Sequence, residues 1–278
     1  MAGKTIGAKT QANMAKTYEE VFKQFLDTFK SVALYKHRYD VFRDFVTMAA
    51  ITFRNAIIQN EELEQEYLQI IHSYEKDDQQ KFPQLLAILV ELLEFEPKDV
   101  LGTLYATLEL TSKDKGQFFT PSTISEFMAQ ILYGEELKHI DKPFLTLSEP
   151  ACGAGGMVLA FVKTMIKHKH NPAEKLWVQC VDVDRLAALM CYVQLSLWHV
   201  PAEVVVGNTL SLEVREVWHT PAHYLGNWTY KLAQRAKSEM PEEKPEPSTK
   251  SQEVVSDAPK QEPLDTASSK PTQFDFGF

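Results

Sequence analysis

An apolar run, Phe144-Leu145-Thr146-Leu147, leads directly into Glu149-Pro150-Ala151-Cys152-Gly153-Ala154-Gly155-Gly156-Met157. No other stretch constrains the fold of this chain as strongly. It predicts a strand, a tight glycine turn and a helix from Val158 onward. Glycine tolerates positive φ and lets a ligand approach the backbone, and the following helix presents its N-terminus to the same place. Three glycines in four positions also suit a plain structural turn, so the surrounding chain has to discriminate.

From Phe144 onward the chain alternates. Strands are predicted at about 144–149, Leu176 to Val181 and Glu203 to Val206, with helices reaching about His168 and covering Asp184 to Trp198. Strands separated by helices of roughly 10–15 residues imply βαβ units and a parallel sheet. Upstream, Tyr18 to Leu110 reads as helical: apolar residues recur at helical spacing in Val21-Phe22, Phe25-Leu26 and Phe29, and again from Val41 to Phe53. Glycine is absent between Gly7 and Gly102, and Pro83 and Pro97 sit where helices begin. A loop at Asp114–Pro121 precedes a helix from Ser122, expected to bury Ile124, Phe127, Met128 and Ile131. The expected architecture is α/β: a truncated, doubly wound, Rossmann-like sheet with an all-helical N-terminal domain. Its parts are a flexible leader (1–16), the helical domain (17–112), the α/β domain (113–236) and a disordered acidic, proline-rich tail (237–278).

Length and composition exclude several classes. With 278 residues and 44% hydrophobic content, the chain can form one sizeable core or two modest ones. Cys152, Cys180 and Cys191 have neither metal-ligand spacing nor a disulfide pattern, so no metal is expected and a reducing cytoplasm is. No apolar run approaches the roughly 18 residues of a membrane span, and the polar stretch Met1–Lys16 lacks a hydrophobic signal segment. A net charge of −9 argues against coating nucleic acid by bulk electrostatics. Much of that excess is local, since Ala236–Phe278 holds nine acidic residues against five lysines, with six prolines from Pro241 onward. Any nucleic-acid contact then needs a local basic patch or a partner's surface.

In doubly wound sheets, ligands sit at the carboxyl ends of the strands. Three features converge there: the Glu149–Gly156 turn, Asp182 at the end of the second strand, and Gly207-Asn208-Thr209-Leu210 at the end of the third. Asp182 is placed to accept hydrogen bonds from a ribose diol, and Asn208 to reach an adenine ring. Asp182 also suits a helix cap, although Asp184 is better placed for that. Together the three predict a nucleoside-type ligand.

The Glu-Pro-Ala-Cys-Gly-x-Gly-Gly turn, with Gly116-Gln117-Phe118-Phe119-Thr120-Pro121 upstream, resembles the adenine-N6 DNA methyltransferases. It is most similar to the modification subunits of type I restriction systems and their plasmid- and phage-borne relatives. Specific motifs cover about residues 95–210, including Asp99-Val100-Leu101-Gly102-Thr103-Leu104-Tyr105; residues 18–95 match only in helical character. The resemblance implies S-adenosylmethionine (SAM) as cofactor and DNA as partner. Glu149, Gly153 and Gly155, with Phe119, Thr120 and Pro121 of the loop, would contact the cofactor's amino-acid portion. Asp182 would hold the ribose and Asn208 the adenine. Family members more often carry Asp at that last position; Asn keeps an acceptor and adds donors.

The resemblance has a gap. The family orients the target amine with an Asn/Asp-Pro-Pro-Tyr/Phe tetrad, and none occurs in these 278 residues. The nearest candidate, Thr220-Pro221-Ala222-His223-Tyr224, offers Thr220, Pro221 and Tyr224 as weak substitutes; it also reads as a helix-breaking turn with surface aromatics. Strand one, without a fourth strand beside it, becomes an open edge. The helical domain, Val214–Arg235, a second copy or a partner subunit would cover it. At the end of the tail, Gln273-Phe274-Asp275-Phe276-Gly277-Phe278 is similar to peptides that dock on the bacterial sliding clamp, with Phe replacing Leu twice. The functional expectations are accordingly an adenine-N6 DNA methyltransferase linked to restriction–modification and a mobile element, or a non-catalytic SAM-binding relative acting as a regulator, decoy or accessory subunit. Methylation of an RNA or protein amine is a third reading.

Overall fold

The structure, a computed structural model, describes residues 16–110, 120 and 122–239. Nearly all of the predicted leader, most of the 114–121 loop, nearly all of the tail and the Gln273–Phe278 tip lie outside the described residues.

Helix α1 (Tyr18–Ser31) starts on a reciprocal cap. The Thr17 hydroxyl accepts from the Glu20 amide, and the Glu20 carboxylate accepts from the Thr17 amide at 2.8 Å. Such caps contribute about 1 kcal/mol. Val21, Phe25 and Phe29 then fall on one buried stripe. They meet α2 (Arg38–Asn55) through an aromatic cluster in which Phe25 packs edge-on against Phe45, and Phe29 against Phe42. Helices α3 (Glu61–His72), α4 (Lys76–Gln79), α5 (Lys81–Phe95) and α6 (Val100–Thr107) complete the helical part.

The α/β part follows α7 (Ser122–Tyr133): β1 (Leu145–Glu149), α8 (Gly156–Lys167), α9 (Pro172–Lys175), β2 (Leu176–Asp182), α10 (Arg185–Leu197), β3 (Ala202–Asn208), β4 (Glu213–His219), α11 (Pro221–Leu225) and α12 (Trp228–Glu239). The sheet order is β1-β2-β3-β4, parallel through β3. The expected truncated sheet with helices is present. Right-handed crossovers along strands laid down in order put α8 and α10 on one face. Leu147, Val178 and Ala202 share that face, whereas the other carries a polar ladder in which Gln179 and His219 both bond Glu203.

Three expectations need correction. Val214–Trp218, which lies outside the three predicted strands, belongs to β4, which pairs antiparallel with β3; Val204 lies opposite Trp218 and Val205 opposite Val217. Trp218 is buried against Tyr192 of α10, which favours a strand that the mixed polarity of 213–219 conceals. Helix α7 does not bury Ile124, Phe127, Met128 and Ile131. Phe127 and Ile131 are each 64% exposed, and Ser125 and Ala129 face inward instead. Small inward residues let α7 lie close to α8, where Lys163 bonds Glu126 and Glu96 at 2.7 Å each. Finally, α12 continues to Glu239, past the predicted start of the tail at 237.

The helical and α/β parts share one hydrophobic core. Arg185 pins them together, reaching Glu66 of α3 through two nitrogens (2.9 and 3.0 Å) and Glu216 of β4 at 2.7 Å. Among the described residues β1 pairs with β2 alone, so it is a sheet edge. Helix α12 touches its start: Trp228 packs edge-on against Phe144, and Arg235 lies over the same ring.

Candidate functional site

Because β1, β2 and β3 run in parallel, their carboxyl ends bring Glu149, Asp182 and Asn208 to one rim of the sheet. The turn after β1 is tied to that rim by the Cys152 amide, which donates to the Val181 carbonyl at 2.9 Å. Gly153 (φ 54°) and Gly155 (φ 91°) take the left-handed conformation that the sequence anticipates. Gly155 is constrained twice, since a Cβ there would stand 2.9 Å from the Cys191 sulfur. It is also the N-cap of α8 and offers no side-chain acceptor, so first-turn amides of that helix remain available to a ligand.

Asp182 joins turn and strand. Its carboxylate accepts from the Gly153 amide and from the Asp184 amide, each at 2.8 Å. Burial raises its carboxyl above the ordinary range, and the two amides offset only part of that rise. Each oxygen keeps a second lone pair. Asp184 caps α10 by accepting from Leu186 and Ala187, leaving Asp182 free of that task. Burial likewise raises the Glu149 carboxyl. Asn208 accepts from the Leu210 amide through Oδ1, and its amino group makes no hydrogen bond among the described residues. The neighbouring Thr209 hydroxyl donates to the Pro150 carbonyl at 2.7 Å, binding the β3 end to the β1 turn. Two apolar side chains, Val183 (62% exposed) and Leu210 (96% exposed), stand next to these polar ends.

Behind the turn lies a buried polar hub that sequence reasoning missed. Gln194 accepts from the Val100 and Leu101 amides and donates to Asp99 (3.0 Å) and to the Ala154 carbonyl (2.8 Å). Asp99 caps α6 through the Gly102 amide, and burial raises its carboxyl. One amide side chain thereby holds the glycine turn against the start of α6. The signal available in the sequence was Asp99 at a capping position; Gln194, within an apolar helix, gave none.

Of the loop residues expected at the site, Thr120 is exposed just ahead of α7, while Phe119 and Pro121 lie outside the described residues. Thr220, Pro221 and Tyr224 do not join the set. Thr220 is buried, its hydroxyl donating to the Val200 carbonyl (2.8 Å) and accepting from the Ala202 amide (2.9 Å). That places it at the opening of β3, about 20 Å from Asn208 at 3.3 Å per strand residue. Pro221 begins α11, and Tyr224 packs on His219 and His223. Antiparallel β4 carries the chain away from the rim, so this segment lies at the opposite end of the sheet from Glu149, Asp182 and Asn208.

Among the described residues no helix is long and apolar enough to cross a membrane. A solved Listeria monocytogenes structure, described as a class I S-adenosylmethionine-dependent methyltransferase, overlays with a TM-score of 0.35 at 18% identity, covering 66% of this chain. The overlay spans 51% of that structure, about half its length. No curated protein gives a significant sequence match. The sequence profile described as N-6 DNA methylase matches residues 96–245, more than half of the chain, from the Asp99 cap through the glycine turn to α12. The chain belongs to the N-6 DNA methylase family.

Proposed function

We propose that this chain holds SAM across the carboxyl ends of β1, β2 and β3 and serves adenine-N6 methylation of DNA. Family membership implies SAM as the methyl donor. The observation that carries the residue-level reading is the convergence of Glu149, Asp182 and Asn208 beside a turn with two left-handed glycines.

The residues present fit that donor. The uncapped start of α8 suits its carboxylate, Gly153 and Gly155 let it approach without a side chain in the way, and Glu149 suits its amino group. The spare lone pairs of Asp182 suit two ribose hydroxyls, and the Asn208 amino group suits an acceptor nitrogen of adenine. Val183 and Leu210 offer apolar flanks for the ring. Phe119, Thr120 and Pro121 complete the amino-acid end in this reading. When bound, SAM supplies an electrophilic methyl group; this chain's part is to bind and orient it.

A second reading is favoured by one observation: the hydroxyl of Thr220, nearest candidate in the sequence for amine recognition, is spent on the Val200 carbonyl and the Ala202 amide. On that reading the chain by itself binds SAM without transferring methyl groups and acts through protein contacts, as a regulator, decoy or accessory subunit of a restriction–modification system. Incubating the purified chain with labelled SAM and adenine-containing duplex DNA separates the two. Label in DNA supports the enzyme. SAM binding without label supports the non-catalytic protein, and labelling of RNA or protein in place of DNA contradicts both.

A further inference from the structure

Cysteines at 152, 180 and 191 share no motif, yet the fold brings their sulfurs within 4.8 Å of one another. All three are buried. Each is carried by a different, well-anchored element. Cys152 sits in the glycine turn with its amide on Val181, Cys180 lies in β2 opposite Glu149, and Cys191 faces them from α10. Gly155 leaves room for the Cys191 sulfur, which a side chain there would strike.

We infer that Cys152, Cys180 and Cys191 form an all-sulfur binding site for a soft monovalent cation of the copper(I) type. An ion with metal–sulfur bonds near 2.3 Å, centred in a triangle of sulfurs, needs them about 4.0 Å apart. The observed cluster needs less than an ångström of closure to reach that. Soft thiolates select copper(I) and zinc among common ions. Zinc takes four ligands in structural sites. No fourth His, Cys, Asp or Glu joins this cluster among the described residues. Copper(I) accepts three sulfurs. Binding exchanges the ion for thiol protons, one released to solvent for each sulfur that ligates as thiolate, so affinity rises with pH. The competing reading is that three small side chains merely fill the core.

The test needs no SAM and stands apart from the cofactor reading. The full chain, reduced and free of oxygen, is titrated with copper(I) against a chromophoric copper(I) chelator, with the ion added to the native chain and, separately, present during refolding. We expect one copper(I) per chain, sulfur-only coordination by X-ray absorption, and at least tenfold weaker retention in Cys180→Ser and in Cys191→Ser. The wild-type spectrum keeps the test decisive if those variants fold poorly. No copper retained by the wild type, nitrogen or oxygen ligands in its spectrum, retention unchanged in both variants, or preferential loading with zinc would each overturn the assignment.

Discussion

Both ends of the sheet carry polar side chains, and their hydrogen-bonding states differ. At the carboxyl rim, Glu149, Asp182 and Asn208 are partly exposed, and Asp182 and Asn208 retain hydrogen-bonding capacity beyond the protein's own needs. At the other end, Thr220 and His223 are buried and satisfied: Thr220 bridges Val200 and Ala202, and His223 accepts from Trp177 at 3.2 Å while meeting the Thr229 hydroxyl at 2.9 Å. Residue type alone does not separate a binding group from a structural one. Spare capacity at an accessible position does.

The largest expected effect lies at the open end. Asp182→Ala removes two charge-assisted bonds to the proposed ribose as well as the anchor of the glycine turn, and SAM affinity should fall about 100-fold or more by calorimetry. A smaller loss would move the ribose away from Asp182. At the closed end, burial lowers the His223 pKa to about 4. A histidine depressed in the folded state contributes stability that is complete above its unfolded value of about 6.5 and lost as pH falls toward 4, amounting to about 3 kcal/mol at most. Chemical denaturation across that window should show the slope, and His223→Asn should flatten it. An unchanged slope would show that His223 is not the group responsible.

Thr220→Ala sharpens the comparison next. It leaves the Ala202 amide and Val200 carbonyl without their partner and should cost about 2 kcal/mol of stability, while SAM affinity stays the same. Weakened SAM binding in a fully folded Thr220→Ala chain would erase the distinction between the ends. Asn208→Ala should have the smallest effect, about a fivefold loss of SAM affinity from one neutral hydrogen bond.

Much of the rim was legible in the sequence because it depends on local rules. An apolar run followed by closely spaced glycines specifies strand, turn and helix, and an acidic residue ending the next strand falls beside it by the geometry of parallel pairing. What was hidden depends on long-range contact. The Gln194 hub joins residues some ninety positions apart, and the sulfurs of Cys152, Cys180 and Cys191 meet only because a turn, a strand and a helix converge. Helix α7 misled for a different reason: its apolar stripe has core periodicity, but close approach to α8 selected the Ser125–Ala129 side, and Phe127 and Ile131 were left outside. Periodicity identifies a face and not the direction in which it points.

The most direct test of the rim as a cofactor site is a calorimetric titration of the full chain with SAM, repeated on Asp182→Ala and Thr220→Ala. The expected result is saturable binding of one SAM per chain, abolished or nearly so by Asp182→Ala and untouched by Thr220→Ala. Absence of binding at millimolar SAM, or binding that survives Asp182→Ala intact, would contradict it.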